Sequence, residues 1–255
     1  MLTVSDIRCA KGQRKITMLT AYDYPTAKII SSGGVDIILV GDSLGMVVLG
    51  YQNTRSVTLQ DMVRATGAVV RGNHGSLVIA DMPIHTTDTA GMAVRNCRYV
   101  LAETGAHAVK IEGHAHIVQA LVEAGVPVMG HTGLKPQIAA KYGVRGKETL
   151  EADIIFKEAE ELQKAGAFSL VLECIPSVLA QKITAALEIP TIGIGAGPFC
   201  DGQVLVISDM IGLYTEMKPK FVRRYADVSK VITDAVKQFK SDTERGSFPS
   251  EKESY

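Results

Sequence analysis

Short apolar runs alternate with amphipathic stretches along the whole chain. About eight of the runs have the length of a strand, and most are continuously apolar rather than alternating with polar residues. This pattern is typical of parallel strands that are covered on both faces. The predicted strands are residues 16–21, 35–41, 77–81, 108–112, 126–130, 168–173, 191–195 and 204–208.

The stretches between the strands have the apolar spacing of helices. One helix begins after Ser56 or Thr58, either of which can cap its first turn. The other predicted helices cover residues 151–165 (ended by Gly166), 177–187 and 221–239. No linker rich in proline, serine or charge divides the chain. A single domain over residues 1–255 is therefore predicted, with a polar tail from about residue 241; two small domains are the alternative.

Four of the predicted strands end at an acidic residue: Asp42, Asp81, Glu112 and Glu173. Burying a carboxylate is costly without a partner, so the repetition indicates that the strand ends converge on a metal ion or a cationic reaction centre. A (β/α)8 TIM barrel gathers the C-terminal ends of all its strands on one face, where barrel active sites lie. An open doubly wound sheet would not bring all four together. We therefore predict a TIM barrel and interpret the chain as an enzyme.

Composition excludes several other functions. The 27 Lys and Arg residues balance 27 Asp and Glu residues, so no net field attracts nucleic acid or an anionic membrane. No apolar run approaches the roughly 20 residues that cross a bilayer, and the N-terminus lacks the layout of a signal peptide. The four cysteines are widely spaced, which favours reduced thiols. The expectation is a cytoplasmic enzyme with small-molecule substrates and neither nucleic-acid nor membrane partners.

Asp42 and Asp81 are the predicted metal ligands, with Glu112 as a third acid near them. Their hard oxygen atoms suit Mg²⁺, which usually keeps water molecules and takes further ligands from the substrate. Each aspartate alone could instead cap the helix that follows it. The set of four acids at strand ends favours metal binding.

Three more residues near the same strand ends could carry chemistry. Lys110 shares a strand face with Glu112 and would either bind a substrate carboxylate or form a structural ion pair. His131 could donate a hydrogen bond to a carbonyl oxygen that gains charge, or could be a packed loop histidine. Glu173 lies among apolar residues that disfavour its charged form, which suits a general base; pairing with a basic neighbour is the alternative.

Two further motifs give weaker signals. His114 and His116 have the look of a soft-metal pair, but they lie just beyond Glu112, where a helix is expected to begin. The segment 193–197 (GIGAG) resembles a phosphate-binding loop without the full GxGxxG spacing. Close approach of the backbone at the barrel mouth explains these glycines equally well.

A series of segments, in order, closely resembles the ketopantoate (3-methyl-2-oxobutanoate) hydroxymethyltransferase family. The segments are 18–25 (MLTAYDYP), 40–46 (VGDSLGM), 80–83 (ADMP), 109–113 (VKIEG), 130–131 (GH), 134–137 (LKPQ), 171–174 (VLEC), 189–197 (IPTIGIGAG), 200–206 (CDGQVLV), 219–222 (PKFV) and 246–250 (GSFPS). The resemblance covers nearly the whole chain. Differences from the usual pattern at residues 84–87 (IHTT), His114, Lys135 and Glu253 remove no predicted catalytic group.

The resemblance implies a TIM barrel of the phosphoenolpyruvate/pyruvate superfamily that assembles as a homo-oligomer, usually a decamer. It implies transfer of a hydroxymethyl unit from 5,10-methylenetetrahydrofolate to 3-methyl-2-oxobutanoate, forming 2-dehydropantoate in pantothenate and coenzyme A biosynthesis. The matching Mg²⁺-site residues are Asp42, Asp81 and Glu112, and Glu173 matches the proton acceptor. The matching substrate-binding residues are Asp42, Ser43, Asp81, Lys110 and His131.

The expected mechanism proceeds through an enolate. Mg²⁺ would polarise the keto group so that Glu173 can remove the C3 proton, and His131 would help to stabilise the enolate oxygen. Lys110 and the Ser43 region would hold the substrate carboxylate while the enolate attacks the folate-borne carbon. One alternative is a folate-independent, Mg²⁺-dependent 2-oxo acid lyase or decarboxylase on the same barrel. Another is a non-catalytic, ligand-binding barrel subunit.

Overall fold

The computed structural model describes residues 1–217 and 219–255 and divides the chain into two compact units, Met1–Val206 and Ile207–Tyr255. The first unit contains every strand of the barrel. Compactness alone does not make a segment an independently folding domain, so the prediction of a single domain over residues 1–255 stays a prediction.

Eight parallel strands close into a barrel in chain order, and β8 pairs with β1. The strands are β1 (Ile16–Thr20), β2 (Ile37–Val40), β3 (Leu77–Asp81), β4 (Ala108–Lys110), β5 (Val128–Gly133), β6 (Ser169–Glu173), β7 (Thr191–Ile194) and β8 (Gly202–Leu205). This closed sheet confirms the predicted (β/α)8 fold class.

The helices of the first unit precede β1 or follow the strands in order. They are α1 (Val4–Cys9), α2 (Tyr24–Ser32), α3 (Leu44–Val47), α4 (Leu59–Gly72), α5 (Ala90–Thr104), α6 (Ala115–Glu123), α7 (Thr149–Lys164) and α8 (Ser177–Ala186). The described residues 195–201 join β7 to β8 without a helix.

The start of α4 shows how local sequence fixes a helix end. Thr58 accepts a hydrogen bond from the backbone N–H of Asp61, and the Asp61 carboxylate accepts one from the backbone N–H of Thr58. Both groups would otherwise be unsatisfied at a helix start, and such a cap contributes about 1 kcal/mol. Of the two predicted caps, the structure therefore uses Thr58 and not Ser56.

Several predicted boundaries were wrong. The fourth strand was predicted to reach Glu112, but β4 ends at Lys110, and the eighth was predicted at residues 204–208, but β8 is Gly202–Leu205. The fifth strand was predicted to end at Gly130, but β5 continues to Gly133 because its ladder with β6 runs on to Glu173. His131 therefore lies within a strand. The last helix was predicted at residues 221–239, and the structure places it later, at Val228–Glu244.

The second unit contains α9 (Ile207–Met210), α10 (Val228–Glu244) and a short 3-10 helix (Glu251–Glu253). Asp227 sets the start of α10 because its side chain accepts a hydrogen bond from the backbone N–H of Lys230. No described residue of α10 is buried. No helix in the described part of the chain has the length and apolar character needed to span a membrane.

The interior of the barrel is filled by alternate residues of the strands. Ile37 and Leu39 on β2 and Leu77 and Ile79 on β3 belong to one buried cluster with residues from the other strands, and α1 adds Ile7 to it. Because strand side chains alternate between faces, these residues define the inward face of each strand. The lower barrel is therefore a packed core, as in other barrels of eight strands.

Candidate active site

The inward face of the strands changes from apolar to charged toward the C-terminal ends. Asp81 follows the core residue Ile79 by two positions, and His131 follows Met129 in the same way. Lys110 on β4 and Glu173 on β6 occupy the corresponding inward-facing position, two residues after a core residue of the same strand. The structure thus brings the predicted residues together directly above the core, at the end where barrel active sites lie.

Asp81 and Lys110 form a buried ion pair across neighbouring strands. They are register partners on β3 and β4, and the Nζ atom of Lys110 lies 2.9 Å and 2.8 Å from the two carboxylate oxygens of Asp81. Burial raises the pKa of Asp81. Burial also opposes the positive charge of Lys110, but the nearby carboxylates outweigh this effect and raise the pKa of Lys110 overall. Direct contact of one ammonium group with both oxygens favours the ionised pair. Glu112 is also among the carboxylates that raise the pKa of Lys110, as expected from their shared strand face, whereas the direct contact with Asp81 was not predicted.

Asp42 is a second buried carboxyl group of the site with a raised pKa. It follows β2 and is 5 % exposed, and its backbone N–H points toward the Oδ2 atom of Asp81 at 3.5 Å. Burial, reinforced by the charge of Asp81, raises the pKa of Asp42 to about 7. The Oδ2 atom of Asp42 accepts a 2.9 Å hydrogen bond from the side-chain amide of Gln137.

His131 lies between two carboxylates at the centre of the barrel mouth. Its Nδ1 atom is 3.5 Å from the Oε1 atom of Glu112, and its Nε2 atom is 3.3 Å from the Oε2 atom of Glu173. Neither contact meets the geometry of a hydrogen bond, so both are charge contacts. Burial and Lys110 oppose a charge on the imidazole, but Glu112 and Glu173 outweigh them and raise its pKa to about 9. The two carboxylates therefore favour the protonated imidazole.

The four acids differ in how far a substrate can reach them. The side chains of Asp81 and Glu112 are each 3 % exposed, whereas that of Glu173 is 18 % exposed. Burial opposes ionisation of Glu112, but His131 and Lys110 lower its pKa overall. Glu173 has a basic neighbour in His131, which is the alternative that the sequence left open for this residue.

The charges of the site do not balance among its own residues. Four carboxylates, at Asp42, Asp81, Glu112 and Glu173, face only two cationic groups, Lys110 and His131. Two negative charges are therefore in excess when all six groups are ionised. A buried cluster with this excess is electrostatically suited to a divalent cation.

The donor set fits Mg²⁺ held by few protein ligands. Across residues 1–217 and 219–255, no group of three or more His, Cys, Asp or Glu side chains is arranged around a common metal position. Mg²⁺ commonly uses one or two carboxylates together with water and substrate oxygens, and Asp42 and Asp81 can provide that pair. The Oε2 atom of Glu112 accepts a 3.2 Å hydrogen bond from the backbone N–H of Gln137. The metal roles of these acids stay predictions.

The remaining predicted residues lie in different surroundings. The hydroxyl group of Ser43 shares a 2.8 Å hydrogen bond with that of Tyr22. His114 stands at the N-cap position of α6 without a side-chain capping hydrogen bond, and its ring stacks on that of His116 at a centroid distance of 5.9 Å. Gly197 has a φ angle of +80°, and a Cβ atom there would stand 2.4 Å from the Cβ atom of Ser177. Close packing accounts for that glycine.

The sequence reasoning assigned no role to the loop between β5 and α7. This loop supplies Gln137. The Nε and Nη2 atoms of Arg55 donate hydrogen bonds to the carbonyl oxygens of Gln137 and Ala139 at 3.2 Å and 2.7 Å. Burial and then the charge of Asp42 raise the pKa of Tyr142, which places that residue near the same carboxylates. The family resemblance includes the segment 134–137 but implies no role for Gln137.

A closed parallel barrel with charged groups gathered inside its C-terminal mouth defines a barrel enzyme. The chain is similar in fold to a solved structure described as 2,3-dimethylmalate lyase, a PEP mutase/isocitrate lyase superfamily member. The TM-score is 0.65, the identity is 16%, and the similarity covers 100% of this chain and 92% of that chain. At this identity the likeness shows the fold alone.

The chain belongs to the ketopantoate hydroxymethyltransferase family, whose model matches residues 1–251. A 3-methyl-2-oxobutanoate hydroxymethyltransferase from Nitratidesulfovibrio vulgaris (strain DP4) is 51% identical, over 98% of this chain and 83% of that protein. A protein of the same name from Trichlorobacter lovleyi is 49% identical, over 100% of this chain and 98% of its own length. The predicted family and the prediction of a hydroxymethyltransferase are confirmed.

Proposed function

We propose that this chain transfers a hydroxymethyl unit from 5,10-methylenetetrahydrofolate to 3-methyl-2-oxobutanoate, forming 2-dehydropantoate for pantothenate biosynthesis. The observation that carries the proposal is the contact between a reachable carboxylate, Glu173, and a buried imidazolium, His131. Removing a proton next to a keto group requires a base and, close to it, a group that stabilises the negative charge arriving on the keto oxygen. Family membership supports the identity of the substrates.

Glu173 is the proposed base because it is the acid that a substrate can reach. The C3–H bond breaks, Glu173 takes the proton, and the bonding electrons shift toward the keto oxygen. The two C–N bonds of the folate's methylene group break and are replaced, one by a new bond to C3 and the other by a hydroxyl group from water. The proton taken from C3 and the remaining proton of the water end on the two folate nitrogens, so tetrahydrofolate leaves and the product is 2-dehydropantoate. The side chain of Glu173 is 18 % exposed, which makes it accessible to a substrate.

His131 is the proposed donor to the oxygen that gains charge. Its two flanking carboxylates keep it protonated and fix its place in the barrel mouth. A cationic donor that is already oriented needs no rearrangement when charge develops, which is the main advantage of such a group.

Mg²⁺ is the proposed cofactor, with Asp42 and Asp81 as its protein ligands and Glu112 beside them. When bound, it would act as a Lewis acid toward the keto group. Lys110 holds both oxygens of Asp81 and so keeps that carboxylate in one orientation. Lys110 and Ser43 are the proposed contacts of the substrate carboxylate.

The proposal is tested by measuring 2-dehydropantoate formation with Mg²⁺ and then with excess chelator. Glu173→Gln keeps the shape of the side chain but cannot accept a proton, so turnover should fall at least about 100-fold. Glu188→Gln, at an exposed position, is the matched control. Near-normal turnover of Glu173→Gln would contradict the base assignment. Cleavage of a 2-oxo acid without folate would point instead to a lyase.

We also propose that the chain acts as a homo-oligomer in the cytoplasm. The apolar side chains of Val231, Val236 and Phe239 on α10 are 67 %, 59 % and 58 % exposed, and such surfaces on soluble proteins usually pack against something. Light scattering coupled to gel filtration gives the number of subunits, with a decamer as the expected result. A monomer at micromolar concentration would contradict this expectation.

A further inference from the structure

Gln137 is buried although it lies in an irregular loop. The residue is 7 % exposed in the connection between β5 and α7. A buried amide is costly unless its hydrogen-bonding groups find partners. The partners that Gln137 finds are all at the mouth of the barrel.

Gln137 contacts the ends of three successive strands. Its Nε2 atom donates to the Oδ2 atom of Asp42 and to the carbonyl oxygen of Met82, each at 2.9 Å. Its backbone N–H donates to the Oε2 atom of Glu112 at 3.2 Å. Asp42 follows β2, Met82 follows β3 and Glu112 follows β4. One residue thus ties together the segments that carry the three predicted metal-site acids.

The orientation of the amide is determined by its surroundings. Both atoms that Nε2 faces are acceptors, so turning the amide over would set its oxygen against two other oxygens. A neutral donor is also suited to this place because it satisfies an oxygen of Asp42 without adding to the excess negative charge. A glutamate would add to that excess, and an asparagine is one methylene too short to reach both acceptors.

The loop itself is anchored on both sides of Gln137. Arg55 bonds to the carbonyl oxygens of Gln137 and Ala139. On the N-terminal side of Gln137, the side chains of Lys135 and Thr132 donate hydrogen bonds to the two carboxylate oxygens of Glu158 on α7. The position of the Gln137 side chain is therefore fixed by the loop rather than adopted incidentally.

We propose that Gln137 is a positioning residue that holds Asp42 and Glu112 in the arrangement that receives the divalent cation. This inference rests on the proposed function, since the cation belongs to it. Hydrogen-bond partners of metal-binding side chains orient those side chains, and their removal commonly weakens metal affinity by about 10- to 100-fold.

The test measures the binding of Mn²⁺, used as the probe, to the full chain without substrates. The concentration of the free ion is monitored by electron paramagnetic resonance. Gln137→Met keeps the length of the side chain and removes the donor, so its dissociation constant for Mn²⁺ should rise about 10- to 100-fold with one ion per chain retained. Gln119→Met, at an exposed position on α6, is the matched control and should bind as the wild type does.

Thermal unfolding of the variants shows whether each is folded. If Gln137→Met does not fold, Gln137→Asn is measured instead and should show the same weakening, because the shortened amide cannot bridge Asp42 and Met82. Affinity within about twofold of wild type in a folded Gln137 variant would overturn the positioning role and leave the proposed function standing. Failure of the wild-type chain itself to bind Mn²⁺ would overturn both.

Discussion

The charge on His131 should make the stability of this protein depend on pH in a specific way. The pKa of His131 is raised from 6.5 to about 9 in the folded chain, because Glu112 and Glu173 outweigh burial and the repulsion from Lys110. A shift of about 2.5 pH units corresponds to about 3 kcal/mol. Since the folded-state value is the higher one, this contribution is fully present below pH 6.5 and is lost as the pH rises toward 9.

The measurement is chemical unfolding at several pH values between 6 and 10, in the presence of a chelator so that no divalent ion competes with His131. His131→Gln removes the titrating group while keeping a polar side chain. The free-energy difference between wild type and His131→Gln should be largest near pH 6 and should shrink by about 3 kcal/mol by pH 10. His74→Gln, at an exposed histidine, is the control and should follow the wild-type curve.

A constant difference between wild type and His131→Gln across this range would refute the reasoning. It would mean that the imidazole is neutral in the folded chain, and the proposed donor to the keto oxygen would then carry no charge.

Two further predictions concern the backbone at the active site and the far end of the barrel. Gly133→Ala should lower kcat about 100-fold, because the new Cβ would stand 2.3 Å from the carbonyl oxygen of Glu173 and displace the base. Gly12→Ala is the control, since Gly12 also has a positive φ angle but has no atom within 4 Å of the added carbon; equal kcat losses in both variants would contradict the explanation. Asp36→Asn should destabilise the fold by about 1–3 kcal/mol at pH 7, because Asp36 accepts hydrogen bonds from Arg14 and Thr17. Burial raises the pKa of Asp36, but these partners lower it overall, so the stabilisation should fade as the pH drops below about 4. Urea unfolding of wild type and Asp36→Asn at pH 7 and pH 3 checks this. The same difference in unfolding free energy at both pH values would contradict it.

Much of the barrel could be predicted because each strand carries its own signal. Continuous apolar runs mark strands that are covered on both faces, and β3 matches the predicted residues 77–81 without change. The same apolar runs also locate the acids, because Asp81 and Glu173 are the last residues of their strands and stand where the runs end.

The contacts between elements could not be predicted in this way. The pairing of Lys110 with Asp81 depends on the register between β3 and β4, which the apolar pattern of one strand does not reveal. Gln137 meets Asp42 across 95 positions of sequence, and as a neutral residue in an irregular loop it gave no signal of charge or period. The end of β5 was misplaced because glycine is a weak strand former, and pairing with β6 overrides that preference.

The alternation of core and charged residues on the inward face has a consequence for how such a barrel can change over evolutionary time. Four of the site's side chains, those at positions 81, 110, 131 and 173, each lie two residues after a core residue of the same strand, as His131 does after Met129. A substitution at that last step leaves the layers beneath it intact, so new reactions can be explored without rebuilding the fold. The same arrangement makes a library restricted to positions 81, 110, 131 and 173 a compact starting point for redesigning the chemistry of this scaffold.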